Sequence, residues 1–429
     1  MTNPNPEDVD LSGWTLWNPG ADGPMFAFAS GTVIPGSGNA PLNQLHVARN
    51  LPGFRQRPGA PASAEFVVGP YDGQISARGE TVELRAGGLA TSRLVSTLST
   101  PVDPTPSQQF LRITELMYMP AAPTAGELAL APGTEAKDYE FIELQNIGPA
   151  SLDLTGARFT DGVEFTFPST VLAPGQRVLV VANATAFAAR YGAGFLIAGA
   201  FSGALDNSGE RIRIEDASGE MVLDFSYDDR WFPAANGSGR SLVVREAAPD
   251  FASYDQPAQW ALSGGVGGSP GAADADGFAH SYAGWIWDHF SPSEIDLPNP
   301  PNPPETLNTA MVGAEADPDG DGLSNLAEYA FGRNPRVADN GALAEAMIAN
   351  EAGVRYPAVV FVRPHLALDL AYGVETAPTL NGPWAADAVI HGTAADLGNG
   401  YERVTFRSPL PLPAAASRFL RVRVSQNSP

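Results

Sequence analysis

Apolar and polar positions along this chain repeat mostly at a period of two, and the apolar runs are short. Glu140-Phe141-Ile142-Glu143-Leu144-Gln145 and Arg211-Ile212-Arg213-Ile214 mostly alternate, as a strand with one wet face requires. Val178-Leu179-Val180-Val181 is continuously apolar, which predicts a strand covered on both faces. Asp161-Gly162, Pro174-Gly175 and Ser208-Gly209 place turns between such strands at the spacing of a β-sandwich. A helical period replaces this pattern later in the chain. Tyr282, Trp285, Ile286 and His289 fall at i, i+3, i+4 and i+7, and Phe290 extends the stripe. A second short helix is expected from Leu323 to Phe331, stopped by Gly332 with Pro335 just beyond. Alternation then returns, with Leu420, Val422 and Val424 interleaved with Arg421 and Arg423.

Three stretches read as linkers: Pro101 to Pro106, Gly264 to Asp276, and Pro298 to Pro304. They predict pieces at 1–100, 110–275, 276–345 and 346–429. The first piece repeats the plan of the second. Asp10-Leu11-Ser12-Gly13-Trp14 matches Asp153-Leu154-Thr155-Gly156-Ala157, and Phe26-Ala27-Phe28 matches Phe165-Thr166-Phe167. Leu45 to Asn50 matches Leu179 to Asn183, Gly73 to Glu80 matches Gly203 to Glu210, and Thr81 to Leu84 matches Arg211 to Ile214. Duplication of this kind predicts two copies of one domain. In this alignment the first copy opens opposite Asp153, leaving no counterpart of 110–150. A sandwich without those strands exposes unpaired backbone edges, so Met1 is expected to be an internal or truncated start.

Ile113-Thr114-Glu115-Leu116-Met117-Tyr118, then Asp138 to Asn146, then Leu154-Thr155-Gly156, resembles the lamin tail domain. So does the run from Gly237 to Leu242 through Trp260 to Gly268-Ser269-Pro270-Gly271. The resemblance covers 110–275 in full and 8–97 in part, and implies an immunoglobulin-like β-sandwich. Bacterial members resemble extracellular modules, often joined to kinase-like, nuclease or phosphatase domains, none of which is visible here. Tyr372 to Thr376, Gly382-Pro383-Trp384 and Arg418 to Val422 resemble a small C-terminal β-domain of bacterial surface proteins. The expected fold is therefore mainly β: tandem lamin-tail-type sandwiches, a short helical segment, and a C-terminal β-sandwich.

Composition narrows the chemistry. The chain has no cysteine, which excludes thiol nucleophiles, disulfides and Cys-ligated metals. Lys137 is its only lysine, which removes P-loop lysines and most Schiff-base chemistry. A formal net charge of −23 disfavours nucleic acid and anionic membranes and draws divalent cations. No apolar stretch approaches the roughly 20 residues of a membrane span. Met1 to Pro6 has neither a basic nor an apolar leader segment, in keeping with a start inside a longer chain.

The strongest site signal is Asp317-Pro318-Asp319-Gly320-Asp321-Gly322-Leu323-Ser324-Asn325-Leu326-Ala327-Glu328. Asp stands at positions 1, 3 and 5, Gly at 6 and Glu at 12, as an EF-hand loop requires. Calcium takes six to eight oxygens. The expected ligands are Asp317, Asp319, Asp321, the Leu323 carbonyl, Asn325 directly or through water, and Glu328 in bidentate mode. The competing reading is an acidic turn in which Asp321 caps the next helix. The loop resembles those of dockerins and thrombospondin type 3 repeats, and with no second hand beside it a structural ion is implied.

Other candidates are weaker. Gly267-Gly268-Ser269-Pro270-Gly271 fits the G-x-S-x-G spacing but lacks the strand-turn-helix context of a nucleophile elbow. His46, His280, His289, His365 and His391 form no zinc-binding spacing, and His289 is expected to pack. Asp228, Asp229, Arg230 and Trp231 read either as a glycan patch or as a loop anchored by its Trp. Asn183-Ala184-Thr185 and Asn236-Gly237-Ser238 match the glycosylation sequon without functional meaning here. The expectation is a non-catalytic extracellular structural or adhesive array of a bacterial surface or secreted protein. Its partner would be a cell-surface polysaccharide or protein. The alternatives are an accessory region of a larger enzyme with a kinase-like or hydrolase domain upstream, and a carbohydrate-binding module marked by a row of exposed aromatics.

Overall fold

The computed structural model describes residues 1–19, 24–61, 66–87, 92–235, 237–246, 248–274, 277–295, 307–398, 400–412 and 418–427. The expected linker at 298–304 lies outside the described residues. The chain is mainly β and divides into two compact units. One comprises Met1–Gln109 with Glu215–Val222, the other Phe110–Ile214 with Leu223–Pro429.

The first unit contains β1 (Val9–Asp10), β2 (Thr15–Trp17), β3 (Pro24–Ala27), β4 (Val33–Ile34), β5 (Leu45–Val47), β6 (Phe66–Val68), β7 (Thr81–Ala86) and β8 (Arg93–Ser99). β3-β2-β7-β8 form one sheet, β1 pairs with β4, and β5 runs parallel to β6. A parallel pair needs a crossover. Helix α1 (Leu51–Gln56) lies within it, capped by Asn50, which accepts from Gly53 N at 2.9 Å. Leu11, Phe28, Ile34 and Leu45 form the buried core. Every residue of the edge strand β8 is exposed.

Helix α2 (Pro106–Phe110) leads into β9 (Leu111–Met117), α3 (Ala125–Leu130), β10 (Phe141–Asn146), β11 (Leu152–Asp153), β12 (Arg158–Asp161), β13 (Phe165–Thr166), β14 (Val171–Leu172), β15 (Arg177–Val181), α4 (Ala184–Tyr191) and β16 (Ile197–Ala200). β17 (Arg211–Glu215), β18 (Met221–Ser226), β19 (Leu242–Val244), β20 (Trp260–Ser263) and β21 (Phe278–Ala279) complete this part. The sheets are β16-β15-β10-β9-β19-β20-β21 and β13-β12-β17-β18, with β11 paired to β14. Phe225 lies 5.0 Å from Tyr254 and 5.7 Å from Trp260, ring centre to ring centre.

The pairing scheme of β1 to β8 is that of β11 to β18: the edge pair, the four-stranded sheet and the parallel pair all recur. Loop hydrogen bonds recur with them. Gly13 N donates to Phe28 O and Gly156 N to Phe167 O, each at 3.0 Å. Both glycines have positive φ, 72° and 80°, which lets the chain turn where a side chain would strain it. Asp10 accepts from Ser12 N at 2.8 Å as Asp153 does from Thr155 N at 2.9 Å.

This correspondence begins earlier than the Asp153 boundary expected from sequence. The Asn146 side chain donates to the Ala150, Leu172 and Ala173 carbonyls at 2.8, 3.0 and 3.2 Å and accepts from Gly148 N at 2.9 Å. Asn3 donates to the Glu7, Ile34 and Pro35 carbonyls at 2.8, 3.1 and 3.1 Å and accepts from Asn5 N at 3.0 Å. Thr2 bridges to Gln44, so the first residues run beside β5 as β10 runs beside β15. Apart from this asparagine the two stretches share almost no residues, and that hid the match. Among the described residues the first unit has no counterpart of β9 or of β19 to β21.

One strand expectation holds and another changes. Val178 to Val181 is buried on both faces, as its apolar run predicted. β10 was expected to be half wet, but Phe141, Ile142, Glu143 and Leu144 are all fully buried. Its polar position faces another part of the chain rather than solvent.

The remainder folds as α5 (Tyr282–His289), α6 (Pro292–Ile295), α7 (Thr309–Val312), α8 (Asn325–Phe331), β22 (Ala344–Glu351), β23 (Val354–Pro364), β24 (Leu370–Ala377), β25 (Val389–Ile390), β26 (Ala395–Asp396), β27 (Tyr401–Arg407) and β28 (Phe419–Gln426). A sheet ordered β22-β23-β27-β25, with β26 also on β27, packs against the pair β24-β28 around Val359, Phe361, Val374 and Val404. α5 starts at Tyr282 as expected, capped by Ser281. α8 starts at Asn325 rather than Leu323 because Ser324 is its cap, and Gly332 ends it in the left-handed conformation. Trp285, Ile286, Phe290, Tyr329, Ala330 and Leu370 share one core, so the helices and the last sandwich are packed together.

Candidate metal centre

The acidic loop sits where α8 enters that core. Oxygens of Asp317, Asp319 and Asp321 all lie within 4.8 Å of one another, the only such cluster of His, Asp and Glu among the described residues. Backbone N–H groups shape the loop. Asp317 accepts from Gly320 and Gly322, both at 2.9 Å, and Asp321 from Leu323 at 2.7 Å and Asp339 at 2.7 Å. Gly322 has φ 94°, the reversal that position 6 requires.

Glu328, on the first turns of α8, is 1 % exposed, and its Oε2 has no hydrogen-bond partner. Asp319 Oδ2 is likewise buried and unpartnered. Burial pushes the Glu328 carboxyl up to about 7, and the charges of Asp319, Asp321 and Asp317 add to the rise. Glu328 is not one of the oxygens clustered within 4.8 Å, but it lies within reach of their charge. A buried carboxylate so placed is costly unless a cation joins them. An all-oxygen set with two orphaned carboxylate oxygens fits calcium.

The other two expected ligands differ in kind. Leu323 lies in the loop and donates its N–H to Asp321. Asn325 is fully buried and its amide donates to the Met311 and Gly313 carbonyls, both at 3.0 Å, tying α7 to α8; its Oδ1 has no partner. Ser324, not Asp321, caps the helix, so the carboxylates are not spent on capping. α8 is anchored further by Tyr329 OH to Asp369 at 2.8 Å and by Tyr372 OH to the Ala330 carbonyl at 2.6 Å.

A second carboxylate site was not singled out from the sequence. Glu115 on β9 and Glu143 on β10 sit directly opposite each other, both buried. Glu115 accepts from Ser241 Oγ at 2.5 Å and Ser269 N at 2.9 Å. Glu143 accepts from Thr114 Oγ1 at 2.6 Å and from Gly271 N, and it pairs with Arg177. The Gly264 to Gly271 stretch is therefore no extended linker; it is clasped onto the sheet by two glutamates. A Cβ on Gly268 would stand 1.9 Å from Glu115 Oε1. The signal available in sequence was a glutamate inside each of two strongly apolar strands.

Burial pushes the Glu115 carboxyl up to about 8, against the bonds from Ser241 and Ser269 and with help from Glu143 and Asp274. An acid raised on folding favours the fold below its unfolded value near 4.3, and the advantage is lost as pH rises through about 8. Glu115→Gln keeps an acceptor and removes the titration. Relative to wild type, the variant is expected to gain on the order of 3 kcal/mol between pH 5 and 9. Urea midpoints across that range check this; a pH-independent difference contradicts it.

The remaining candidates are structural in place. Ser269 follows β20 in the clasp, without a helix after it, so no nucleophile elbow forms. Trp231 is buried, and Asp228 accepts from Arg230 N at 2.9 Å within its own turn. Asn183 caps α4 through Thr185 N at 3.0 Å, while Asn236 lies outside the described residues. His289 packs 4.9 Å from Trp285. Phe251 is the only aromatic among the exposed large hydrophobics of the described residues, so no aromatic row is seen.

The family model of the lamin tail domain matches residues 104–229. That region, from α2 through β18, is thus similar to an immunoglobulin-like β domain, a non-enzymatic module type. No curated protein matches the chain, and no solved structure matches it. No helix of the described residues is long and apolar enough to cross a membrane.

Proposed function

We propose that the chain is a non-catalytic structural or adhesive array from a bacterial surface or secreted protein, in which calcium holds one segment rigid. The observations that carry this are the clustered oxygens of Asp317, Asp319 and Asp321 and, within reach of their charge, the buried carboxylate of Glu328 with an unpartnered oxygen. Calcium would be held by those four residues with the Leu323 carbonyl and Asn325, neutralising the cluster and fixing the start of α8. The shared pairing scheme and the Asn3 and Asn146 networks support two tandem copies of a lamin-tail-type domain. Tandem domains on an acidic, cysteine-free chain suit an extracellular spacer that presents its surfaces to cell-wall polysaccharide or protein. Purified chain mixed with cell-wall polysaccharide and intact cells should be retained more strongly in calcium than in chelator. Turnover of simple esters, phosphates or glycosides, abolished by one substitution, would overturn the non-catalytic reading.

A further inference from the structure

The C-terminal sandwich leaves two strand edges open on one flank. β22 ends its sheet and pairs only with β23, while β28 pairs only with β24; among the described residues neither has a second neighbour. β24 bonds on its other side to Ala385, which leads to β25 at the far end of the facing sheet. β28 packs over β23, so the free edges of β22 and β28 lie together.

Each face of these strands has a match. On the inner face, Ala344, Ala346 and Ile348 stand opposite Phe361, Val359 and Pro357, in line with the core, yet Ile348 is 45 % exposed. β22 overhangs: among the described residues it does not pack closely against β24 or β28. β28 lines the same core with Leu420 and Val422. On the outer face β22 carries Glu345 and Glu351 and no cation, whereas β28 carries Arg421 and Arg423 and no anion. Glu351 is already paired with Arg407 and Arg421 with Glu375, both at 2.6 Å. Arg423, 3.8 Å from Glu375, keeps 70 % of its side chain exposed, so Glu345 and Arg423 are the charges left to meet a second copy.

We propose that two copies of this chain associate across a two-fold axis running along these strands, β22 of each adding to the free edge of β28 of the other. Rotation about that axis exchanges the two sheets. Outer faces then continue into outer faces, setting Glu345 beside the edge that carries Arg423, and inner faces continue into one core. The two overhanging β22 strands cover each other, and the two Ile348 side chains meet at the axis. Closed two-fold symmetry uses both open edges at once, which removes the hazard an exposed edge carries. Complementary charge fixes the partner edge in a chain whose net charge of −23 otherwise opposes self-association.

Sedimentation of the full chain tests this. A dimer is expected, weakening with salt. Arg423→Glu and Ile348→Lys should each raise its dissociation constant about tenfold or more, and Ile348→Lys should leave the melting unchanged because that side chain is exposed. Adding Glu345→Arg to Arg423→Glu should restore the dimer, and Arg93→Glu on the unrelated edge β8 should leave it unchanged. A chain that stays monomeric at every concentration, a dimer indifferent to Arg423→Glu and Ile348→Lys, or one lost with Arg93→Glu would overturn the proposal.

Discussion

Glu328→Gln is expected to lower stability in calcium and to raise it in chelator. In the proposed calcium site this carboxylate is a ligand, so its loss should remove most of the stabilisation by the ion. Extracellular calcium modules bind with dissociation constants on the order of 10⁻⁴ M, and a 100-fold excess then adds roughly 2.7 kcal/mol. In a unit of this size that corresponds to a melting shift of roughly 4 °C. Without calcium the same carboxylate is 1 % exposed, unpartnered and crowded by three aspartates. Replacing it by an amide should then gain about 1–3 kcal/mol at pH 8, where the carboxylate is ionised. Calorimetric melting of both proteins, with calcium and with chelator, reads the reversal. An acidic turn that binds nothing would give the same order of stability in both buffers.

Gly268→Ala should be among the most damaging single-methyl changes in the chain. Gly268 has φ 76°, and its added Cβ would meet Glu115 Oε1 at 1.9 Å and Ser241 Oγ at 2.7 Å. Neither neighbour can yield freely, since each is buried and hydrogen-bonded to the other. Gly133 is the control: its φ is 80°, but nothing lies within 4 Å of its Cβ position. Gly133→Ala should cost about 1 kcal/mol, the price of a left-handed backbone alone. Gly268→Ala should cost about 3 kcal/mol or more, the difference being overpacking against the clasp. Equal losses in urea unfolding would show that the clasp contributes nothing beyond backbone strain.

Local pattern revealed most elements. The apolar run at 178–181, the stripe of Tyr282, Trp285, Ile286 and His289, and the stop at Gly332 each reflect interactions within a few residues, which spacing records. The acidic loop was legible for the same reason, because its aspartates and glycine act within one turn. What stayed hidden depends on distant partners. Glu143 reads as a solvated position until Gly271, 128 residues away, is seen to bond it. Asn325 reads as a loop ligand, and spacing does not reveal that its amide also bonds the Met311 and Gly313 carbonyls while its Oδ1 stays unpartnered. The likeness of the first residues to those around Asn146 was obscured because Asn3 keeps the hydrogen-bond pattern of Asn146 while its neighbours differ.

Calcium counted directly is the decisive measurement. Chelator-stripped chain dialysed to equilibrium against calcium should hold one ion per molecule, and Glu328→Gln chain should hold almost none at the same free concentration. Wild-type chain that retains no calcium, or variant chain that retains as much as wild type, would contradict a metal centre built on Asp317, Asp319, Asp321 and Glu328.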